Sequence, residues 1–326
     1  MSQPTSTSER RVRVAVLTYR RPADLAQLLP RLVEQARAVS DQGTSADVVV
    51  VDNDPDGSAA ALVAGFAAVA DGVRVHYEHE PVPGIAAARN RALRTASAAD
   101  LLVFIDDDER PCADWLRLLL DTHARHRSAA VVGPVVSGFA APPPDWVTAG
   151  RFFERLRRPT GSTVAVAATN NLLLDLRQLR RLGCEFDQEF GLSGGSDTLF
   201  TRQLHRGGGR LVWCDEAVVT DVVPPERATR SWVLRRALRS GNSWSRTTLA
   251  LAGTPAARLS ARLRLSVAAV VRLLAAAART VVGVVARSQA QRARGARTAA
   301  RGLGLLGGAW GYVYQEYRRR PEQASQ

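Results

Sequence analysis

Apolar positions along the chain keep two rhythms, and the switching between them outlines the fold before any chemistry is considered. Residues 12–18, 47–51, 73–77 and 101–105 are short runs of mostly branched and aromatic side chains. They have the length and composition of strands, and 101–105 is wholly apolar, as suits a strand covered on both faces. Between them, apolar residues recur every three or four positions, as at Leu25, Leu28, Leu29 and Leu32, and again over 59–70 and 85–96. That spacing predicts helices. Strand and helix in alternation imply right-handed crossovers and a mostly parallel sheet, so the expected class is α/β. The strands then end together at Thr18, Asp52 and Asp106, along the sheet edge where open α/β folds hold ligands.

The same reading continues through a helix at 115–126 and a strand at 131–136. Two strand segments, 164–169 and 172–174, flank Asn170 and Asn171. A short basic helix at 177–182 is followed by a glycine-rich loop at 191–197, a helix at 198–206, strands at 211–214 and 217–221, and a helix near 231–239.

After Pro255 the composition changes to Ala, Val, Leu, Gly and Arg. On a helical wheel Arg258, Arg262, Arg272, Arg279 and Arg287 share one face, and Leu263, Val267, Val270, Leu274, Val281 and Val285 the opposite one. No stretch free of arginine reaches the ~18 apolar residues of a bilayer span. A basic amphipathic helix suits an anionic lipid surface, and a helical hairpin packed on the body or on a second copy fits the same pattern. A second helix is expected over 289–317, with Gly302, Gly304, Gly307 and Gly308 permitting close packing or breaks, and Trp310, Tyr312, Tyr314 and Tyr317 suited to an interfacial belt.

Charge sharpens this division. All 44 basic residues are arginine; 255–326 hold 13 of them against two acids, and 1–254 hold 31 against 29. The near-neutral body argues against a nucleic-acid partner. Three widely spaced cysteines, Cys112, Cys184 and Cys214, fit neither a disulfide framework nor a zinc site and point to a reducing compartment. Residues 1–11 are polar and read as a disordered start without a signal peptide. The expected organisation is therefore this start, a folded α/β body at 12–254 and a basic helical extension at 255–326.

The chemistry concentrates at residues 106–109, Asp-Asp-Asp-Glu, directly after the central strand. Adjacent carboxylates repel and are tolerated beside a cation or in water. Strand alternation would turn Asp106 and Asp108 to one side, offering two hard oxygen ligands to Mg²⁺ or Mn²⁺ and a diphosphate. A solvated acidic turn accounts for the tetrad alone equally well. Asp52 can simply start an Asx-turn, Arg89 can be a surface residue in a helix's first turn, and Asp197, after two glycines, can cap a helix. Arg227, Arg230, Arg235 and Arg236 suit either a diphosphate or a solvated helix face. The five histidines show no ligand spacing.

Six segments in order break these ties: Val-Ala-Val-Leu-Thr-Tyr-Arg-Arg-Pro (14–22), Val-Val-Val-Asp-Asn (49–53), Gly-Ile-Ala-Ala-Ala-Arg-Asn (84–90), Phe-Ile-Asp-Asp-Asp (104–108), Gly-Gly-Ser-Asp (194–197) and Val-Pro-Pro-Glu-Arg (223–227). Together they resemble the family 2 glycosyltransferases of the GT-A fold over roughly residues 12–245. The resemblance implies an inverting, metal-dependent transfer from a nucleotide-sugar donor, with UDP, GDP or dTDP as its carrier, to a glycan or lipid-linked hydroxyl. It implies that Thr18 and Asp52 contact the base, that Arg89 lies near the same pocket and neutralises phosphate, that Asp106 is the ribose- or metal-side acid and Asp108 the direct metal ligand, and that Asp197 is the catalytic base. Ser196 stands where relatives carry Glu. Asp221 stands where many carry a metal-assisting histidine, and aspartate is itself a competent hard ligand.

Two other functions share these features. A sugar-1-phosphate nucleotidylyltransferase also uses carboxylates and Mg²⁺, but normally with a lysine near the first strand, and this chain has no lysine. A non-catalytic sugar-nucleotide-binding module would account for Ser196 and Asp221. For an enzyme with this tail, the expected location is the cytoplasm, peripheral on the inner face of the membrane.

Overall fold

Alternate side chains of the central strands serve two separate cores, one on each face of the sheet. In β1 (Arg10–Thr18), Val14 and Val16 point to one face, against Leu25, Leu28, Leu29 and Leu32 of α1 (Pro22–Ser40). Ala15 and Leu17 point to the other. The computed structural model describes residues 10–315 apart from Gln42, Asp71 and Leu156. Of the expected disordered start, Arg10 and Arg11 instead belong to β1, and 1–9 lie outside the described residues, as does Tyr317.

The chain continues through β2 (Thr44–Asp52), α2 (Ala60–Ala67), β3 (Val75–His79), α3 (Ile85–Thr95) and β4 (Leu101–Asp106). It then forms β5 (Glu109–Pro111), α4 (Trp115–His126), β6 (Ala130–Val132), β7 (Val135–Phe139), α5 (Asp145–Ala149), β8 (Thr163–Val164) and β9 (Asn171–Asp175). The remainder is α6 (Leu176–Leu182), α7 (Ser196–Arg206), β10 (Leu211–Trp213), β11 (Val219–Val223), α8 (Arg230–Ala250), α9 (Pro255–Val285) and α10 (Gln289–Ala309).

Eight strands form the main sheet in the order β3-β2-β1-β4-β9-β6-β10-β8, and β5-β11-β7 form a second. The β3-β2-β1-β4 half is parallel, as the alternation of strand and helix requires, while β9 runs antiparallel between β4 and β6. Register places Thr18 beside Asp52 and Leu17 beside Asp106, so the three strand ends do meet. On the α3 face the core is made of small residues, Ala86, Ala88 and Ala92, which let that helix sit close. Phe104, Phe186 and Phe200 fill the space beyond; the Phe186 and Phe200 rings stack at 4.0 Å and Phe104 meets Phe186 edge-on at 6.0 Å.

Residues 131–136 do not make one strand. Gly133 and Pro134 separate β6 from β7, which join different sheets. A Cβ at Gly133 would collide with the Asn171 side chain and the Ala217 carbonyl, so the crossing needs glycine there.

Beyond the body, α8, α9 and α10 form a helical layer in which α10 lies against both neighbours. The expected close packing of its glycines is realised: a Cβ on Gly304 would strike the Leu238 carbonyl oxygen of α8, and one on Gly308 would lie 2.6 Å from the Asn242 carbonyl oxygen. Asn242 also donates to the Tyr312 carbonyl and accepts from the Tyr314 amide, holding the chain after α10 against the body. Helix α9 buries Leu265, Ala269 and Ala276 toward α10 and leaves its other apolar face outward. By length and composition alone it is long and apolar enough to cross a bilayer, since an 18-residue window of it holds no more than two of its five arginines.

Candidate active site

A cleft of about 880 Å³ opens at the ends of β1, β2 and β4, between the main sheet, the second sheet and α8. On the sheet side it is walled by Thr18, Arg21, Asn53, Arg89 and the carboxylates of residues 106–109; on the other by Phe153, Arg155, Asp221, Arg227, Trp232, Arg236 and Tyr314. Gly84, with φ of 118°, turns the chain into α3 at the cleft floor, where a Cβ would press on the Gly191 backbone at 3.2 Å.

The acidic tetrad is not an extended strand. β4 ends at Asp106, and Asp107 and Asp108 make a turn into β5, so strand alternation does not order them. Asp107 accepts from Thr18 Oγ1 at 2.8 Å and from Arg21 at 3.0 Å. Asp108 accepts from the same Arg21 at 2.7 Å and from Arg227 at 2.9 Å. Glu109 is buried; it accepts from Asn170 Nδ2 at 2.6 Å and from the Asp106 amide at 3.1 Å. Across the β5–β11 ladder Glu109 is paired with Asp221, whose carboxylate is bridged to Arg155 at 2.9 Å.

This crowding shows in the ionisation of the acids. Burial pushes Asp106 up to about 7; Arg89 opposes this, while Asp108, Asp107 and Asp197 add to it. Burial also raises Asp107 to about 6, against the pull of Arg21 and Thr18. Glu109 is raised well above the usual carboxylate range, chiefly by burial and then by Asp106. The opposite wall has the reverse problem: burial lowers Arg236 to about 10, with Arg155 and Arg239 adding repulsion. The first wall thus crowds acids beyond what Arg21 and Arg89 offset, and the second gathers Arg155, Arg227, Arg236 and Arg239 around the acid Asp221, which suits a divalent cation on the first and phosphate oxygens between them.

The donor set fits such a cation. Asp106 and Asp108 are hard oxygen donors at the cleft, and the charged form of Asp106, disfavoured there, is what a cation would stabilise. Among the described residues no three His, Cys, Asp or Glu side chains converge as a protein-only cage. Mg²⁺ is commonly held by one or two carboxylates, with water and substrate phosphates completing its shell.

Of the residues singled out from the sequence, Thr18, Arg89, Asp106, Asp108 and Asp221 line the cleft. Arg89 donates to Ser196 Oγ at 2.6 Å and lies over the Phe186 ring, which ties α3 to the start of α7. Asp197, in the first turn of α7, sits near enough to raise Asp106, and its carboxylate accepts from the Thr198 amide at 2.7 Å. The N-cap of α7 is Gly195, so Asp197 is not that cap.

Asp52 requires correction. It is fully buried and absent from the cleft wall, because its carboxylate accepts from the Ala59 and Asp54 amides and the Tyr77 hydroxyl. It shapes the loop that carries Asn53, and Asn53 is the residue that reaches the cleft. Asn170 and Asn171 also part company. Asn170 holds Glu109, whereas Asn171 is a buried bridge, accepting from Trp115 Nε1 and donating to the Pro134 and Ala217 carbonyls. Arg21, Glu109 and Arg155 received no role from the sequence. Arg21 stood in the Arg20-Arg21-Pro22 turn at a strand end, which was the available signal.

Comparison with known proteins agrees with this geometry. A sequence model of the family described as Glycosyl transferase family 2 matches residues 13–178. The succinoglycan biosynthesis protein ExoM of Rhizobium meliloti (strain 1021) is 37% identical over 238 residues, which is 72% of this chain and 74% of that protein. Residues 1–349 of S. aureus TarS, solved with UDP, superpose with a TM-score of 0.51 at 16% identity, covering 91% of this chain and 90% of that one. GalNAc-T7, solved with UDP, GalNAc and Mn²⁺, superposes with a TM-score of 0.50 at 13% identity over 76% of this chain and 52% of that one. At such identities the superpositions establish the GT-A fold alone.

Proposed function

The chain belongs to glycosyl transferase family 2 and is a glycosyltransferase; from that premise we propose that it performs an inverting, divalent-metal-dependent transfer from a nucleotide-sugar donor to a hydroxyl of a glycan or lipid-linked acceptor. The observation that carries this reading is the opposition of the two cleft walls, carboxylates of the 106–109 turn facing Arg155, Arg227 and Arg236. The family also removes the nucleotidylyltransferase alternative.

Thr18 and Asn53, at the ends of β1 and β2, face the nucleoside, and Arg89 offsets charge beside Asp106. Asp106 and Asp108 would hold the cation, with Asp221, bridged to Arg155 through one oxygen, beside them in the cleft. The cation, when bound, neutralises the leaving diphosphate. Arg227 already spans to Asp108, so it is placed to follow the diphosphate oxygens as charge develops there. The acceptor hydroxyl oxygen attacks the anomeric carbon as the bond from that carbon to the phosphate oxygen breaks. The hydroxyl proton passes to the Asp197 carboxylate, and a single displacement inverts the anomeric centre. Phe153 and Trp232 stack parallel at 6.0 Å on the arginine wall, an apolar surface suited to a sugar ring of the acceptor.

UDP accompanies the TarS and GalNAc-T7 structures and Mn²⁺ the latter, which favours UDP and Mn²⁺ as first choices here. The similarity to a succinoglycan biosynthesis protein favours an exopolysaccharide intermediate as acceptor. The apolar, arginine-flanked α9 favours a cytoplasmic enzyme held on the inner face of the membrane through residues 255–326. Calorimetric titration of UDP, GDP and dTDP with and without Mn²⁺ tests the donor half. Nucleotide binding that strengthens with metal and weakens in Asp108→Asn is expected; binding indifferent to both would refute the metal-dependent reading.

A further inference from the structure

Helix α9 presents two faces with opposite chemistry, and the fold turns them in unexpected directions. Its apolar face, including Leu263, Val267, Val270, Leu274, Val281 and Val285, points away from the protein, with exposures from 50% at Val270 to 81% at Val285. The helix contains no acidic residue. Its arginine side turns instead toward α10 and the end of α5. There Arg151, Arg272, Arg279, Arg294, Arg297 and Arg301 line a hollow of about 410 Å³.

Little in the protein balances this charge. Glu154 pairs with Arg151 from an exposed position. Arg297 turns one nitrogen to the Arg151 carbonyl, Arg272 bonds only its own helix at Ala268, and the buried Nε of Arg294 has no hydrogen-bond partner. Burial lowers both Arg297 and Arg301 from the ordinary arginine value, and Arg272 adds to the effect on Arg301. Guanidinium groups gathered at this density call for a ligand with several anionic oxygens, and phosphate matches their paired donors.

We propose that this hollow binds the phosphate headgroup of an anionic phospholipid while the outward face of α9 lies among the acyl chains of the same leaflet. The proposal rests on the reading of residues 255–326 as the membrane-facing part and adds the groups that would make that contact lipid-selective. A helix in the interface sinks about 5–10 Å, comparable to its own diameter of roughly 10 Å. The flank facing α10 is then level with the headgroups. A membrane-spanning α9 would carry the packed α10, with Arg294, Arg297 and Arg301, into hydrocarbon. Lying in the plane satisfies both faces; spanning satisfies one.

Co-sedimentation of the full chain with vesicles of phosphatidylcholine, alone or mixed with phosphatidylglycerol, tests this. Wild type is expected to bind both and to prefer the mixture. The triple variant R272Q/R279Q/R301Q should lose that preference, at on the order of fivefold for each guanidinium and a hundredfold together, with transfer to a soluble acceptor and the far-UV spectrum unchanged. L263S/V270S/L274S, at exposed positions, should lose binding to both vesicle types. A triple arginine variant that keeps its preference for phosphatidylglycerol overturns the headgroup site while leaving membrane docking intact. Wild type that binds neither vesicle overturns the docking reading and this inference with it. A concentration-dependent dimer in vesicle-free solution, dissociated by the serine variant, would assign the apolar face to a second copy and overturn the proposal.

Discussion

Gly304→Ala is the most direct probe of how the extension is joined to the catalytic body. The added Cβ would strike the Leu238 carbonyl oxygen of α8 and lie 2.8 Å from the Leu238 carbonyl carbon and 3.0 Å from the Asn242 nitrogen. All three atoms are backbone, so no side chain can rotate away and the two helices must part. Overpacking of this kind costs about 1–3 kcal/mol, and an obstacle made of backbone belongs at the upper end. The gain in helix propensity from Gly to Ala is about 1 kcal/mol. The net expectation is a loss of about 2 kcal/mol, or roughly 4–8 °C in melting temperature for a domain somewhat smaller than this chain. Leu238 lies between Arg236 and Arg239, both in the cleft wall, so the KM for substrate should rise as well. The companion Gly307→Ala is a control in the same helix. Its Cβ would meet the Tyr312 side chain, at 3.3 Å from the ring and 3.4 Å from Cβ, and no backbone atom among its nearest neighbours, so this variant should be close to neutral or stabilising. Differential scanning calorimetry and initial-rate kinetics on the pair decide the matter. A Gly304→Ala protein melting at or above wild type would refute the account of α10 as a helix held by backbone contact.

The other expectations concern the cleft and one buried histidine. Asp197→Asn should lower kcat by about 10²–10⁴-fold, the usual contribution of a general base, with the dissociation constant for nucleotide unchanged by calorimetry; unaltered turnover would remove Asp197 from the reaction. Arg236 is lowered to about 10, chiefly by burial and then by Arg155 and Arg239, so its charge opposes folding fully below that pH and ceases to do so only above its ordinary value. Arg236→Gln should therefore raise the melting temperature of the ligand-free protein while weakening nucleotide or acceptor binding by roughly tenfold or more, the worth of a charged hydrogen bond. His123 is lowered from 6.5, mainly by burial, although Asp175 opposes the shift. Its folded state resists protonation, so stability should fall as pH drops through that range. His123→Gln should flatten the dependence of the urea midpoint between roughly pH 7 and pH 5, and an unchanged slope would assign the effect elsewhere.

Hydrophobic period decided much about this protein on its own. The order of strands and helices through residue 106, the meeting of Thr18, Asp52 and Asp106, and the two faces of α9 all follow from local patterns of two and 3.6 residues. The arginine surplus after residue 254 was equally plain. Tertiary structure decided how those pieces are used. Asp52 and Asp106 end neighbouring strands, yet the first is consumed by the Ala59 amide and Tyr77 while the second remains at the cleft. Asn170 and Asn171 are adjacent, yet one holds Glu109 and the other ties Trp115 to two distant carbonyls. Arg21 joins Asp107 and Asp108 across more than eighty residues of chain. The apolar side of α9 faces outward while its arginine side is the one covered, with Gly295 and Gly302 of α10 seated against Ala276, Thr280 and Leu273. Periodicity is a property of neighbours along the chain; which carboxylate meets which guanidinium, and which face of a helix is covered, depends on groups that only folding brings within a few ångströms.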